Sequence, residues 1–299
     1  MKGVILAGGT GSRLFPITTA SNKHLLPVFD KPMIYYPLSV LMLSGLTEIM
    51  IICTPEDRSN FEQLLGDGSS LGMTIVYEEQ TEPNGIPEAF IIAKDFIKGD
   101  DVALILGDNI FHGHGFTTLL RDAIKNHKHA SVFGYRVKNP ERFGVVEFDS
   151  QQKVISLEEK PEEPKSDFAV TGLYLYDKHV AEYAEDLPYS DRGEMEITDL
   201  NKKYLKNGQL DVTLLGRGFA WLDAGTHESL YQAAEFVKIT QERQGFKLAC
   251  LEEIAYYMGY ISRDQLYNMG KAMEKNDYGS YLLEIASRKH AEQYWDPIQ

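Results

Sequence analysis

The chain has 299 residues, enough for about two average domains or one enlarged α/β domain, and it should lose about three quarters of its unfolded surface on folding. Thirty Lys plus Arg against 44 Asp plus Glu give a formal net charge of −14. That excludes a broad nucleic-acid grip but not a small phosphorylated ligand, for which a few cations can build a local positive pocket.

In chain order, Lys2 to Ala7 is a short apolar run that breaks into Gly8-Gly9-Thr10-Gly11, the pattern of a buried strand feeding a loop. A helix is expected over residues 37–45, a second buried strand over 48–53, a helix over 56–65 and a strand over 73–77. Residues 87–97 suit a helix, and 102–106 suit a strand that ends at Gly107-Asp108-Asn109. Strands that are apolar on both faces and alternate with helices predict a Rossmann-like mixed, mainly parallel sheet covered by helices. Beyond about residue 130 the strands shorten (130–135, 144–148, 154–157, 172–176 and 212–215), with helices expected at 228–245 and at about 262–286. The division this suggests is a core over 1–227 and a helical C-terminal portion over 228–299. Cys53 and Cys250 are the only cysteines, too few and too isolated for a disulfide framework or a metal knuckle. No run approaches the ~18 apolar residues of a membrane span, and no basic-then-apolar leader is evident. The expectation is a soluble cytoplasmic protein with no membrane or nucleic-acid partner.

Ligands of doubly wound sheets sit beyond the carboxyl ends of the strands. Two candidate sites follow: the glycine loop after the first strand, and Asp108. The loop Leu6-Ala7-Gly8-Gly9-Thr10-Gly11-Ser12-Arg13-Leu14 is not a Walker A loop, lacking the closing Gly-Lys-Ser/Thr. Nor is it the dinucleotide fingerprint of a dehydrogenase, because Arg13-Leu14 occupies the place of the third glycine. Clustered glycines still let backbone N–H groups approach a polyphosphate, and Arg13 adds a fixed cationic fork.

The stretch LAGGTGSRLFPITTASNKHLLPVFDKPMIYYPL resembles the signature of the sugar-nucleotide pyrophosphorylases. The segments EEQTEPNGIPEAF, LGDNIF, ERFGVVEF, SLEEKP, VTGLYLYD, RGEMEITDLN and GRGFAWLDAGTH continue the likeness in order to about residue 260. They are most similar to the family's glucose-1-phosphate thymidylyltransferase branch. The resemblance implies a nucleotidyltransferase fold and transfer from dTTP to glucose 1-phosphate, giving dTDP-glucose and pyrophosphate. This would be a first step towards dTDP-rhamnose or related deoxysugars. Such chemistry needs no protein nucleophile, because the sugar phosphate is already an anion and catalysis reduces to in-line positioning and charge neutralisation. In keeping with this, no histidine sits in an HExxH-like arrangement, and His112, His114, His127 and His129 are expected at the surface or in loops.

On the same resemblance, Arg13 and Lys23 match the catalytic cations, and Asp108 and Asp223 match the carboxylates that hold Mg²⁺. Leu6, Gly8, Gly9, Thr10, Gly11, Gln80, Pro83 and Gly85, with Arg13 and Asp108, match the nucleotide site. Gly144, Glu159, Lys160, Val170 and Arg192 match the sugar-phosphate pocket. The chain departs from the thymidylyltransferase pattern at Ile86-Pro87-Glu88, where Leu-Ala-Gln is typical, at His24, where Gln is frequent, and at Ala224, where Thr is frequent. A pocket that separates thymine from uracil by one methyl group is worth only ~1–3 kcal/mol, so UTP, or another sugar 1-phosphate, stands as the alternative. A non-catalytic nucleotide-sugar sensor is a more distant one. The segment KLACLEEIAYYMGYI resembles a second nucleotide-sugar site that mediates end-product feedback in homotetramers. Glu253 matches there, whereas Tyr257 stands where Arg is typical.

Overall fold

A computed structural model describes residues 1–9 and 11–288. Its strands, in chain order, are β1 (Lys2–Leu6), β2 (Pro27–Val28), β3 (Lys31–Pro32), β4 (Glu48–Cys53), β5 (Thr74–Glu79), β6 (Val102–Leu106) and β7 (Asn109–His112). They continue with β8 (Ala130–Arg136), β9 (Gly144–Phe148), β10 (Val154–Glu159), β11 (Phe168–Tyr176), β12 (Leu210–Leu215) and β13 (Ala220–Asp223). Nine of them form one mixed sheet, β10-β9-β11-β6-β1-β4-β5, with β8 and then β12 branching from β11. The half made by β6, β1, β4 and β5 is parallel. β11 runs antiparallel to β6 and carries the second half.

The period of two along each strand decides which core a residue joins. Ile5, Ile51, Ile105 and Leu173 fall on one face and share a core with Phe61, Phe116 and Phe133. Val4, Ile52, Leu104 and Tyr174 fall on the other face and pack with Phe90, Leu200 and Tyr204. Each fully buried aliphatic side chain of this kind stabilises the fold by about 1.5–3 kcal/mol relative to exposure.

The C-terminal helices share the first of these cores, through Leu251, Ile254, Leu266 and Leu282. Helix His227–Gln244 packs its Ala233 and Val237 in a third cluster with Val28, Tyr36 and Ile110. Its start is set by a capping box between Thr226 and Ser229, which satisfies the otherwise orphaned first-turn donors.

The structure corrects several expectations. Residues 262–286 form two helices, Arg263–Ala272 and Asp277–Ser287, because Asn276 caps the second by accepting from the Gly279 N–H. The helix expected over 87–97 is broken at Ala93 into Glu88–Ile92 and Lys94–Ile97. His112, expected at the surface or in a loop, lies in β7 with its ring against Phe236, whereas His127 does lie in the loop between Lys125 and Ala130. Among the described residues no helix is long and apolar enough to cross a membrane.

Candidate active site

The site forms where β1 and β6 end side by side. Ala7 still donates to the Ile52 carbonyl, at 2.7 Å, before the chain turns into the glycine loop. The short 3₁₀ turn Lys23–Leu25 is capped by Asn22, whose Oδ1 accepts from the His24 N–H at 2.9 Å and lies 2.8 Å from His24 Nδ1. Asn22 Nδ2 donates to Asp57 Oδ2 at 2.7 Å. Burial, reinforced by the Lys23 charge, lowers His24 to about 3, so its imidazole is a neutral support beneath the site. On this base Lys23 Nζ donates to Asp108 Oδ2 at 2.6 Å.

Asp223 reaches the same place from a distant part of the chain. Its strand β13 pairs antiparallel with β7, and Asp223 stands opposite Asn109. Burial, and then the charge of Asp108, raise the Asp223 carboxyl, against the pull of Arg13 and Lys23. Burial works the same way on Asp108, but there the Lys23 ammonium and the Asn109 amide win and hold it well below the usual carboxylate range. A Cβ on Gly225 would lie 2.8 Å from both Arg13 Nη2 and Asp223 Oδ1, so a glycine is what lets the guanidinium and the carboxylate converge.

Arg13, Asp108 and Asp223 line one side of a cleft of about 270 Å³. Gly144, Glu159, Lys160 and Val170 line the other. Glu159 stands opposite Gly144 on the β9–β10 ladder and its Oε2 accepts from Thr198 Oγ1 at 2.6 Å. Lys160 Nζ and Arg192 Nη2 lie 3.6 and 3.7 Å from Glu159 Oε1. Arg192 also pairs with Glu196 Oε2 at 2.6 Å, and so stands at the rim rather than in the wall.

Leu6, Gly8, Gly9 and Gly11 follow one another along the end of β1 and its loop, while Thr10 lies outside the described residues. Gln80 and Gly85 meet through a 3.3 Å bond from Gln80 Nε2 to the Gly85 carbonyl. Gly85, at φ +105°, leaves no room for a side chain, since a Cβ would sit 2.1 Å from the Met195 carbonyl oxygen. Pro83 is exposed on the preceding loop and does not line the cleft. Glu253 lies elsewhere, buried beside a small cavity it shares with Tyr36, His112 and Lys247. Asn109, Arg142, Phe143, Thr198 and Trp221, which no pattern in the sequence singles out as site residues, also line the cleft. Among the described residues no cluster of three or more His, Cys, Asp or Glu side chains is placed to hold a metal. A two-carboxylate, all-oxygen donor set fits Mg²⁺, which completes its shell with water and phosphate oxygens.

An open sheet with carboxylates and cations gathered at its carboxyl ends is the arrangement of a phosphate-handling α/β enzyme. The nucleotidyl transferase family model matches residues 2–240, and the chain belongs to that family. It is 56% identical to the glucose-1-phosphate thymidylyltransferase of Neisseria meningitidis serogroup A, over 96% of this chain and 100% of the relative. It is 50% identical to the enzyme of that name from Mycobacterium tuberculosis, with the same coverage. A Bacillus anthracis structure described as a glucose-1-phosphate thymidylyltransferase, in complex with sucrose, superposes with a TM-score of 0.73. It is 45% identical and covers 79% of this chain and 94% of its own.

Proposed function

We propose that this chain transfers a thymidylyl group from dTTP to glucose 1-phosphate, giving dTDP-glucose and pyrophosphate. The observation that carries this reading is the cleft itself, with Arg13, Asp108 and Asp223 on one wall and Glu159 held by Thr198 on the other. No His, Cys or Ser lines it among the described residues, which suits a reaction whose nucleophile is supplied by the substrate. An oxygen of the sugar phosphate attacks the α-phosphorus of dTTP. The new P–O bond forms as the bond to the bridging oxygen breaks, pyrophosphate leaves with the electron pair, and no proton need move.

Arg13 is assigned to the triphosphate near its leaving end and Lys23 to the α-phosphate, where fixed cations stabilise charge that builds as the two phosphates approach. Asp108 and Asp223 would hold Mg²⁺, which when bound neutralises charge on the triphosphate. Glu159 accepts hydrogen bonds from sugar hydroxyls, and Lys160 and Arg192 pair with the phosphate of the sugar. Gln80 and Gly85 meet the base. The high identity to thymidylyltransferases supports dTTP and glucose 1-phosphate as the preferred pair.

The test is a pyrophosphate-release matrix of dTTP, UTP, dCTP and ATP against several sugar 1-phosphates, with and without Mg²⁺. The reading expects the highest kcat/KM for dTTP with glucose 1-phosphate and no turnover without the metal. A best rate with UTP, or with a different sugar phosphate, would replace it. We further propose a cytoplasmic homotetramer in which the region around Glu253 binds an end product. Light scattering at four times the 33.8 kDa chain mass is the expected result.

A further inference from the structure

Gln80 is 7% exposed, and its amide is clamped by two acceptors. Its Nε2 donates to Glu88 Oε2 at 2.6 Å and to the Gly85 carbonyl at 3.3 Å. Glu88 is itself held, because Asn84 Nδ2 donates to its other oxygen at 2.8 Å. A carboxylate offers only lone pairs, so turning the amide over would set two oxygens against each other at 2.6 Å. Both Nε2 hydrogens are therefore engaged, and Oε1 is the atom presented to the glycine loop. A Cβ on Gly8 would lie 2.7 Å from that Oε1, so the bare loop is what leaves the oxygen open to a ligand.

We infer that Glu88 is a specificity-determining positioning residue: it fixes Gln80 as a pure acceptor and thereby selects a base whose N3 carries a hydrogen. This deepens the proposed function and rests on its assignment of Gln80 to the base. Thymine and uracil carry an imide N3–H and can donate to Oε1. Cytosine has a lone pair at N3 and meets it oxygen to nitrogen, both acceptors. Glu88 touches no substrate; it acts through the amide it holds.

The experiment compares kcat/KM for dTTP and dCTP in the wild type, Glu88→Met and Glu88→Gln. Methionine keeps the length of the side chain and removes the acceptor, leaving the longer bond to Gly85 as the only restraint on the amide. Gln80 can then rotate and offer Nε2 to cytosine. The dTTP-to-dCTP ratio is expected to fall roughly tenfold in Glu88→Met, equivalent to about 1.4 kcal/mol or one hydrogen bond. The fall should lie mainly in KM, with kcat within about twofold because the reacting phosphates are untouched. Glu88→Gln retains an oxygen that can accept from Nε2 and should recover most of the ratio, which a purely structural role would not predict. A wild type selective for dTTP whose ratio is unchanged in Glu88→Met overturns this inference alone, as does equal loss in both variants. A wild type that releases pyrophosphate with no triphosphate, or without preference between dTTP and dCTP, overturns the reading of the site beneath it.

Discussion

Trp221 donates its indole N–H to Asn109 Oδ1 at 2.6 Å, across 112 residues of sequence. The same oxygen accepts from the Gly172 N–H at 3.0 Å, and Asn109 Nδ2 donates to Asp108 Oδ1 at 2.9 Å. One amide thus joins the two-stranded β7–β13 sheet, the central strand β11 and a proposed metal ligand.

Asn109→Ala should therefore do two separable kinds of damage. It leaves the Trp221 indole and the Gly172 N–H without their acceptor, which at about 1–3 kcal/mol for each buried orphan suggests about 2–6 kcal/mol lost. It also frees Asp108 on one side, so kcat should fall more than the stability loss explains. Urea unfolding and turnover, measured on the same preparation well below the unfolding midpoint, distinguish the two. Wild-type kcat in a destabilised variant would show that Asp108 needs no such support.

Gly85→Ala tests the backbone of the proposed base site. The position requires φ +105° and a Cβ there would meet the Met195 carbonyl oxygen at 2.1 Å. Strain and displacement together should cost about 2–4 kcal/mol. Because Gln80 bonds to the Gly85 carbonyl, the KM for the nucleotide should rise several-fold while the KM for the sugar phosphate moves little. Equal rises in both would place the effect outside the base site.

The apolar runs at 2–6, 48–53 and 102–106 were legible because central parallel strands are buried on both faces and carry little else. The apolar run before Asp223 also reads as a strand end, but β7 and its pairing with β13 did not show, since β7 is four residues long, contains polar side chains, and finds its partner about 110 residues away. The same separation hid Asn109 and Trp221: an amide and an indole on strands so far apart in the chain become a bonded pair only once β7 and β13 meet. Arg13, Lys23, Asp108 and Asp223 stood out through their motifs. Thr198 did not, because a threonine in the first turn of a helix usually needs no explanation beyond the helix. The break at residues 273–276 was hidden by helix-compatible residues on both sides, with Asn276 as its only local signal.

Thr198→Val keeps the shape of the side chain but removes the hydroxyl that donates to Glu159 Oε2 at 2.6 Å. Glu159 then keeps only the looser contacts to Lys160 and Arg192, both beyond 3.5 Å. A hydrogen bond to a charged group is worth about 1.5–3 kcal/mol. The KM for glucose 1-phosphate should therefore rise by roughly tenfold or more, with the KM for dTTP nearly unchanged. A rise confined to the nucleotide would reverse the assignment of the two walls.

Glu253 provides a pH signature away from the cleft. Burial pushes its carboxyl up to about 7, against the Tyr281 hydroxyl that donates to it at 2.7 Å and the charges of Arg288 and Lys31. The unfolded chain releases this proton near 4.5, so between about pH 4.5 and 7 the folded form binds more protons than the unfolded one. The contribution to stability is then complete below pH 4.5, declines as pH rises, and is gone above about pH 7, a loss of about 3 kcal/mol. Glu253→Gln removes the titration. Its advantage or deficit relative to the wild type should therefore shift in its favour by about 3 kcal/mol between pH 4.5 and 8, whatever the absolute cost of its extra amide hydrogen atoms. Urea midpoints of both proteins across that range measure the difference, and parallel pH profiles would mean that Glu253 is already ionised in the folded chain at pH 5.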